Sequence, residues 1–440
     1  MSRFLLFFLV VGVLMSVLGL YVHRRASHVF GLERRGRVAL GLTIVVGVGL
    51  FFLRRVIGDG EVGRELVILG AAFAMAIVLA AGLLFHVDAV RGLWWAGEKA
   101  LGRGKRPPAD AVAKRAVADA VSTDVVSTDV VSTDVVSTME ARPSEAASEE
   151  PAIEHESWIS PSAMGRRAFN RHASAAALTL GTGSAFYGAL FGRRDYTIEE
   201  VPIPIAGLPR TLDGLTIVQL SDIHVGSFVG EGELRAAESL VREARPDLIV
   251  LTGDLLDHDA AYAPQLGRFV ERLRPLARFG VAAIPGNHDH YAGVEAVEEA
   301  LRRAGAHLMT NAGRLIGDGG GAFGLVGVDD LWAKEGRAPN LERALAMVPR
   351  DVPKILLAHQ PVFLEQAVGK VQLQLSGHTH GGQVSLGWNP AELVLPNGWV
   401  RGRYDVGESI LYVNRGFGTA GPPTRLFSPP EVTKLVLVAA

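Results

Sequence analysis

The feature that most restricts this chain is an unbroken apolar run at residues 4–22, long enough to cross a bilayer, with a second at 66–87 and a shorter uncharged one at 38–53. In hydrocarbon every backbone N–H and C=O must be satisfied within its own segment, so such runs fold as helices. The first run alone reads equally as a cleaved signal peptide. Two more close behind it point instead to a helical membrane domain, residues 1–106. Arginines set its expected orientation: Arg24, Arg25, Arg34, Arg35 and Arg37 fill the first loop, against Arg54, Arg55 and Arg64 in the second. The positive-inside rule then puts the first loop in the cytoplasm, and the third helix ends there too.

Residues 107–165 are poor in aromatics and contain VSTDVVSTDVVSTDVVST, whose five-residue period fits neither helix nor sheet. They are expected to form a disordered low-complexity linker without chemistry of its own. Residues 166–194 begin RRAFNR and continue into a mildly apolar stretch rich in Ala and Gly. This resembles a twin-arginine export signal set deep in the chain, and it is expected to act as a fourth membrane segment. The alternative is a buried soluble helix. A fourth crossing would place residues 195–440 outside the cytoplasm, on a multi-pass protein of the plasma membrane. Net charge is −2, so no general basic field argues for nucleic acid as a partner. Cysteine is absent, which leaves His, Asp, Glu and Asn as the side chains able to hold a metal.

From residue 195 the pattern changes to short β-branched runs, LTIVQLS, DLIVLTG, VAAIPG and KILLAH, separated by amphipathic stretches at 231–244 and 264–279. Strand alternating with helix indicates a layered α/β domain. Polar residues gather where these strands run out: Asp222 and His224, Asp254, Asn287 and His288, His359, then His378 and His380. Strand ends are where open α/β sheets bind ligands. Each fragment alone is weak, since Gly-Asp is ordinary turn chemistry and Asp-x-His arises by chance. In GHTHGG, an extended backbone would point His378 and His380 the same way.

Taken in order, Asp222-Ile223-His224, Gly253-Asp254-Leu255-Leu256-Asp257, Gly286-Asn287-His288-Asp289, His359 and Gly377-His378-Thr379-His380 resemble the motif series of the calcineurin-like metallophosphoesterases. The resemblance covers residues 196–440, and YVNRGFGTAGPPTRLFSPPEVT is similar to the family's bacterial membrane-associated or exported branch. It implies an α/β/β/α metallophosphoesterase sandwich following the helical membrane domain. It also implies two divalent metal ions. Asp222, His224, Asp254 and His380 would hold the first, and Asp254, Asn287, His359 and His378 the second, with Asp254 as the bridge. Two such ions about 3.5–4 Å apart clamp a phosphoryl group and turn a shared water into a hydroxide nucleophile. His288 would be the catalytic imidazole at the leaving oxygen, oriented by Asp257. The mixed imidazole and carboxylate set suits Mn, Fe or Zn better than Mg.

The expected reaction is hydrolysis of a phosphodiester or pyrophosphate bond in a phosphorylated substrate. Some relatives cleave lipids of the UDP-diacylglucosamine type. WNPAELVLPNGWVRGRY directly follows the last histidines, and its Trp388, Trp399, Arg401 and Arg403 read either as a lipid-facing, phosphate-binding rim or as an ordinary hairpin. The alternatives are a phosphomonoesterase or protein phosphatase, a nuclease, and a non-catalytic metal-binding membrane scaffold. His258, His290 and His307 lie outside the motifs and are expected at the surface or in supporting positions.

Overall fold

The computed structural model describes residues 3–52, 60–100, 165–334, 336–385 and 389–440. The VSTDV repeat, nearly all of the anticipated linker, and Trp388 lie outside the described residues. The chain divides into two units, residues 1–83 with 175–440, and residues 84–174.

The apolar runs form α1 (Arg3–Val29), α2 (Arg34–Phe52) and α3 (Glu61–Ala100), and α4 (Arg166–Leu190) follows. Among the described residues, α1, α2 and α3 contain the three helices long and apolar enough to cross a membrane. The alanines of α4 favour a helix, and its glycines, threonines and arginines keep it from comparable apolarity.

Twelve strands are described: β1 (Thr197–Ile205), β2 (Thr216–Leu220), β3 (Leu248–Thr252), β4 (Val281–Ile284), β5 (His307–Leu308), β6 (Ala312–Asp318), β7 (Gly321–Gly327), β8 (Lys354–Leu357), β9 (Leu373–Ser376), β10 (Gly402–Val406), β11 (Ser409–Val413) and β12 (Glu431–Ala439). They make two six-stranded sheets, ordered β1-β12-β2-β3-β4-β5 and β10-β11-β9-β8-β7-β6. β2 to β5 run parallel in the first sheet, and β7, β8, β9 and β11 run parallel in the second.

Alternation along each strand decides the layering. Ile217, Val250 and Ile284 of the first sheet meet Leu325, Ile355, Leu357 and Leu375 of the second in one apolar layer. Their neighbours Val218, Leu220, Leu251 and Ala283 face the other way, onto α5 (Glu231–Ala244), α6 (Ala263–Leu273) and, beyond the short α7 (Asn287–Ala292), α8 (Val294–Arg303). The far face of the second sheet, with Val326, Leu356 and Val413, is covered by Leu341, Phe363 and Leu364. The result is an α/β/β/α sandwich. Each fully buried Leu or Ile contributes about 1.5–3 kcal/mol, so the three apolar layers hold the strand ends rigid. α6 is shorter than the amphipathic stretch suggests, because Pro275 cannot continue its hydrogen-bond ladder and the chain passes into a 3-10 turn.

The sandwich also packs on the helices. Phe228, close after His224, sits with Val67 and Ile68 of α3. Leu426 sits with Ala76 and Leu79 of α3 and Ala185 of α4. Between these contacts the buried Glu233 carboxylate faces Arg194 at 3.3 Å, Arg64 at 3.6 Å and Arg193 at 3.9 Å.

Candidate metal centre and active site

Asp222 and His224 follow β2, Asp254 follows β3, and Asn287 and His288 open α7 after β4; His359 follows β8, and His378 and His380 follow β9. The two sheets turn these ends toward each other. The Asp222 carboxylate of one sheet accepts the His378 N–H of the other at 3.0 Å from each oxygen. Ligand atoms of Asp222, His224 and His380 converge within 4.8 Å, as do those of Asp254, His359 and His378. Asp254 lies between the sets, with Oδ2 3.8 Å from His224 Nε2 and 3.3 Å from His359 Nε2.

Two features of the backbone make this crowding possible. Gly253 has φ +92°, and a Cβ there would strike the His359 ring; a Cβ on Gly377 would strike the Ser221 and Asp222 side chains. The other is strain. Of the ten non-glycine residues with positive φ among the described residues, five are Asp222, His224, Asp254, His378 and His380. Each such conformation costs about 1–2 kcal/mol, and strain of this kind gathers at functional sites. GHTH is therefore a turn and not an extended segment, and it sends its two histidines to different sets, His380 to Asp222 and His378 to Asp254.

The donor set fits a pair of divalent cations. Buried Asn287 Oδ1 and His359 Nε2 have no hydrogen-bond partner, and His224 and His380 bring their Nε2 atoms within 3.1 Å of each other. An unpaired polar atom in the interior costs about 1–3 kcal/mol, and cations would satisfy several at once. His359 Nδ1–H donates to the Thr252 carbonyl at 2.8 Å, which turns Nε2 toward Asp254; burial works against the charged ring, but Asp254 raises His359 well above the usual imidazole range, so a cation would take the place of a proton at Nε2. Burial lowers His224 to about 4 and His378 to about 3, so both imidazoles are neutral near pH 7. Burial works to raise Asp254, yet His359, His224 and His288 hold it below the usual carboxylate range. Asp254 is thus held firmly as an anion, while burial raises Asp222 to about 6.

His288 lies at the open side, 28% exposed in its side chain. Its Nδ1–H donates to the main-chain carbonyl of Asp257 at 2.7 Å, whereas the Asp257 carboxylate is 3.8 Å away. Asp257 thus meets His288 first through its peptide carbonyl, with the carboxylate beside the same nitrogen, and Nε2 is left toward the open side. The carboxylate meets His258 Nδ1 at 2.7 Å, so His258 is a supporting residue. The rim residues in the described part of the hairpin have partners within the protein. Arg403 pairs with Asp405 at 2.6 Å, Arg401 donates to the Phe427 carbonyl at 3.0 Å, and Trp399 packs on the second sheet's outer cluster. These contacts favour the hairpin. His307 belongs to β5 and contacts Arg314.

Other buried residues carried no motif signal. His290 is 1% exposed, with Nε2 2.7 Å from Asp329 Oδ1. Arg425, 1% exposed, donates to the carbonyls of Arg415, Gly416, Gly418 and Ser428 and fixes the loop behind His380. Both are legible only once distant strands are brought together.

The sequence profile of the calcineurin-like phosphoesterase family matches residues 215–382. A Danio rerio protein named transmembrane protein with metallophosphoesterase domain is 36% identical over 270 residues, covering 58% of this chain and 60% of that one. The chain thus spans less than two thirds of that relative. Over 270 residues it is 34% identical to the uncharacterized metallophosphoesterase YkuE of Bacillus subtilis (strain 168), covering 60% of this chain and 93% of YkuE. With phosphodiesterase YaeI of Escherichia coli (strain K12) it shares 33% over 275 residues, covering 61% of this chain and 98% of YaeI. With its apolar helices and transmembrane-named relatives this is a membrane protein, and it belongs to the calcineurin-like metallophosphoesterases, a family of metal-dependent phosphoester hydrolases.

Proposed function

We propose that the chain hydrolyses a phosphodiester or pyrophosphate bond in a membrane lipid, of the kind UDP-diacylglucosamine represents, with Mn, Fe or Zn ions in the strand-end cluster. The observation that carries the reaction is the convergence of buried, unpartnered donor atoms around Asp254. Asp222, His224, Asp254 and His380 would hold one ion and Asp254, Asn287, His359 and His378 the other. Such ions polarise a phosphoryl oxygen and acidify a water when bound. The chain's own residues do the rest. The left-handed turns aim the ligands before any ion arrives, and the Asp257 carbonyl fixes the tautomer of His288 with Nε2 toward the open side. With Nδ1–H held by that carbonyl, Nε2 is the nitrogen that takes up a proton, and the imidazolium so formed would pass that proton to the leaving oxygen and return to the neutral ring.

The docking of Leu426 against Ala76 and Leu79 supports the lipid reading, because these α3 residues belong to the apolar stretch. Phe427, next in sequence, is 73% exposed, as an apolar side chain facing lipid would be. The phosphodiesterase name of YaeI supports the diester. The arginines of the first loop lie at the other ends of α1 and α2 from Phe51, which packs near Phe228, and this supports an extracytoplasmic sandwich.

The decisive experiment reconstitutes the purified full chain with Mn and compares a monoester, a diester and a lipid pyrophosphate in one assay. Preference for the lipid pyrophosphate or diester is expected, abolished by chelation and restored by metal; preference for the monoester overturns the substrate reading. A reporter active only in the cytoplasm, fused after Ala440, is expected to stay silent, and a bright signal overturns the orientation.

A further inference from the structure

We propose that Tyr291 and Trp332 form an aromatic subsite that holds a planar ring on the substrate's ester group, the kind of ring a nucleobase supplies. The proposal rests on the phosphoester-hydrolase reading of the cluster and adds what lies beside the phosphorus. Both side chains are exposed, Tyr291 by 61% and Trp332 by 54%, yet each touches a site imidazole. The Tyr291 ring is centred 5.7 Å from that of His288. The Trp332 ring is centred 5.2 Å from that of His378 and nearly perpendicular to it, at 84°.

Neither ring hangs on a loose segment. Tyr291 stands four residues after Asn287 on α7, so the two share a helix face. The Trp332 main-chain N–H donates to Asp330 Oδ1 at 2.7 Å, and the same oxygen takes Gln360 Nε2 at 3.1 Å, one residue from His359. Asp329 accepts from His290 Nε2 at 2.7 Å and from the Asp330 N–H at 2.9 Å. His290 is the neighbour of Tyr291 and Asp329 is near Trp332, so one buried pair joins the two segments that carry the rings. Rigid, half-exposed aromatic faces beside a phosphoryl site suit stacking on a flat partner, which serves every base and reads none. An acyl chain would need only apolar bulk.

The test measures affinity for two probes that differ by the ring alone, uridine 5′-monophosphate and ribose 5-phosphate. They are titrated calorimetrically into metal-loaded full chain and used as competitors of bis(p-nitrophenyl) phosphate hydrolysis. The expected preference for the nucleotide is roughly ten- to hundredfold. Trp332→Ala and Tyr291→Ala should each lose most of that preference while ribose 5-phosphate affinity and metal content stay unchanged. Trp332→Phe should keep it, and Trp332→Leu should not. A wild-type preference near unity overturns the subsite, as does a preference that survives both alanine variants or is fully restored by leucine. Absence of hydrolysis beside an intact preference in the titration sinks the activity reading and leaves the subsite standing.

Discussion

Asp254 and Asp289 are both buried, at 2% and 0% exposure, on adjacent strand-end loops, and they use their carboxylates in opposite ways. Asp289 is consumed by the backbone. It accepts the N–H of Gly286 at 2.9 Å, of Leu255 at 3.0 Å and of Leu256 at 2.9 Å, which caps α7 and ties the β3 loop to the β4 loop. Asp254 spends one oxygen on the His288 N–H, at 2.8 Å, and leaves the other among imidazoles. Their charge responses follow. Burial, with Asp254's charge added, raises Asp289 to about 6, while neighbouring histidines hold Asp254 low against the same burial. A rigid anchor with its donors matched stands directly behind a cluster whose donors are not matched by protein. Changes in the cluster should therefore remove activity and spare the fold, and changes in the anchor should weaken the fold first.

The largest effect is expected from Asp254→Asn, because among the described residues no other carboxylate lies within 4 Å of an imidazole of each set. Hydrolysis of bis(p-nitrophenyl) phosphate should fall on the order of a thousandfold, as when a principal electrostatic group is lost, and bound metal should fall with it. Thermal unfolding of the metal-free protein should be unchanged or later, since a buried charge has been removed. Activity within tenfold of the parent would break the contrast between the two aspartates. His288→Ala comes next, with a loss of about a hundredfold in kcat. Its metal content, read by mass spectrometry, should stay at the parent level; loss of metal would make His288 a ligand and not a proton carrier.

Asp289→Ala tests the other side. It strands the N–H groups of Gly286, Leu255 and Leu256, at about 1–3 kcal/mol for each that water cannot reach. Denaturant unfolding should shift well below the parent midpoint, and turnover by the molecules still folded should fall by about ten- to a hundredfold, the usual loss when a supporting partner of a metal site is removed. An unshifted midpoint would show that the anchor is not structural.

How much of this was legible beforehand depends on the range over which each feature is written. Asp222, Asp254, Asn287 and His359 each end a β-branched run, so their placement at strand ends follows from five or six neighbouring letters. The sandwich's two buried sheets follow from strands buried on both faces, such as β2, β3 and β4. Left-handed backbone at His378 and His380 is not written in GHTH. At His378 it accompanies a bond from the other sheet, where Asp222 takes the His378 N–H. Arg403 was equally opaque, because its partner Asp405 lies on the same edge strand and quenches the charge a substrate would need.

His290 gives the smallest and sharpest test, since it shares α7 with His288 but belongs to the anchor. Its side chain is buried against Asp329, which also takes Arg337 Nε at 3.1 Å. Replacing His290 with Phe keeps a ring in the core and leaves Asp329 its arginine, so the loss should stay below the 3–5 kcal/mol of a broken buried pair, at about 1–3 kcal/mol. Turnover on a substrate without a flat ring should remain within about threefold, because no atom of His290 joins the converging ligand groups. Two histidines separated by one residue would then part completely, His288 through rate and His290 through stability. A large rate loss at unchanged stability in His290→Phe would move His290 into the reacting site and erase the boundary that Asp289 draws across the helix.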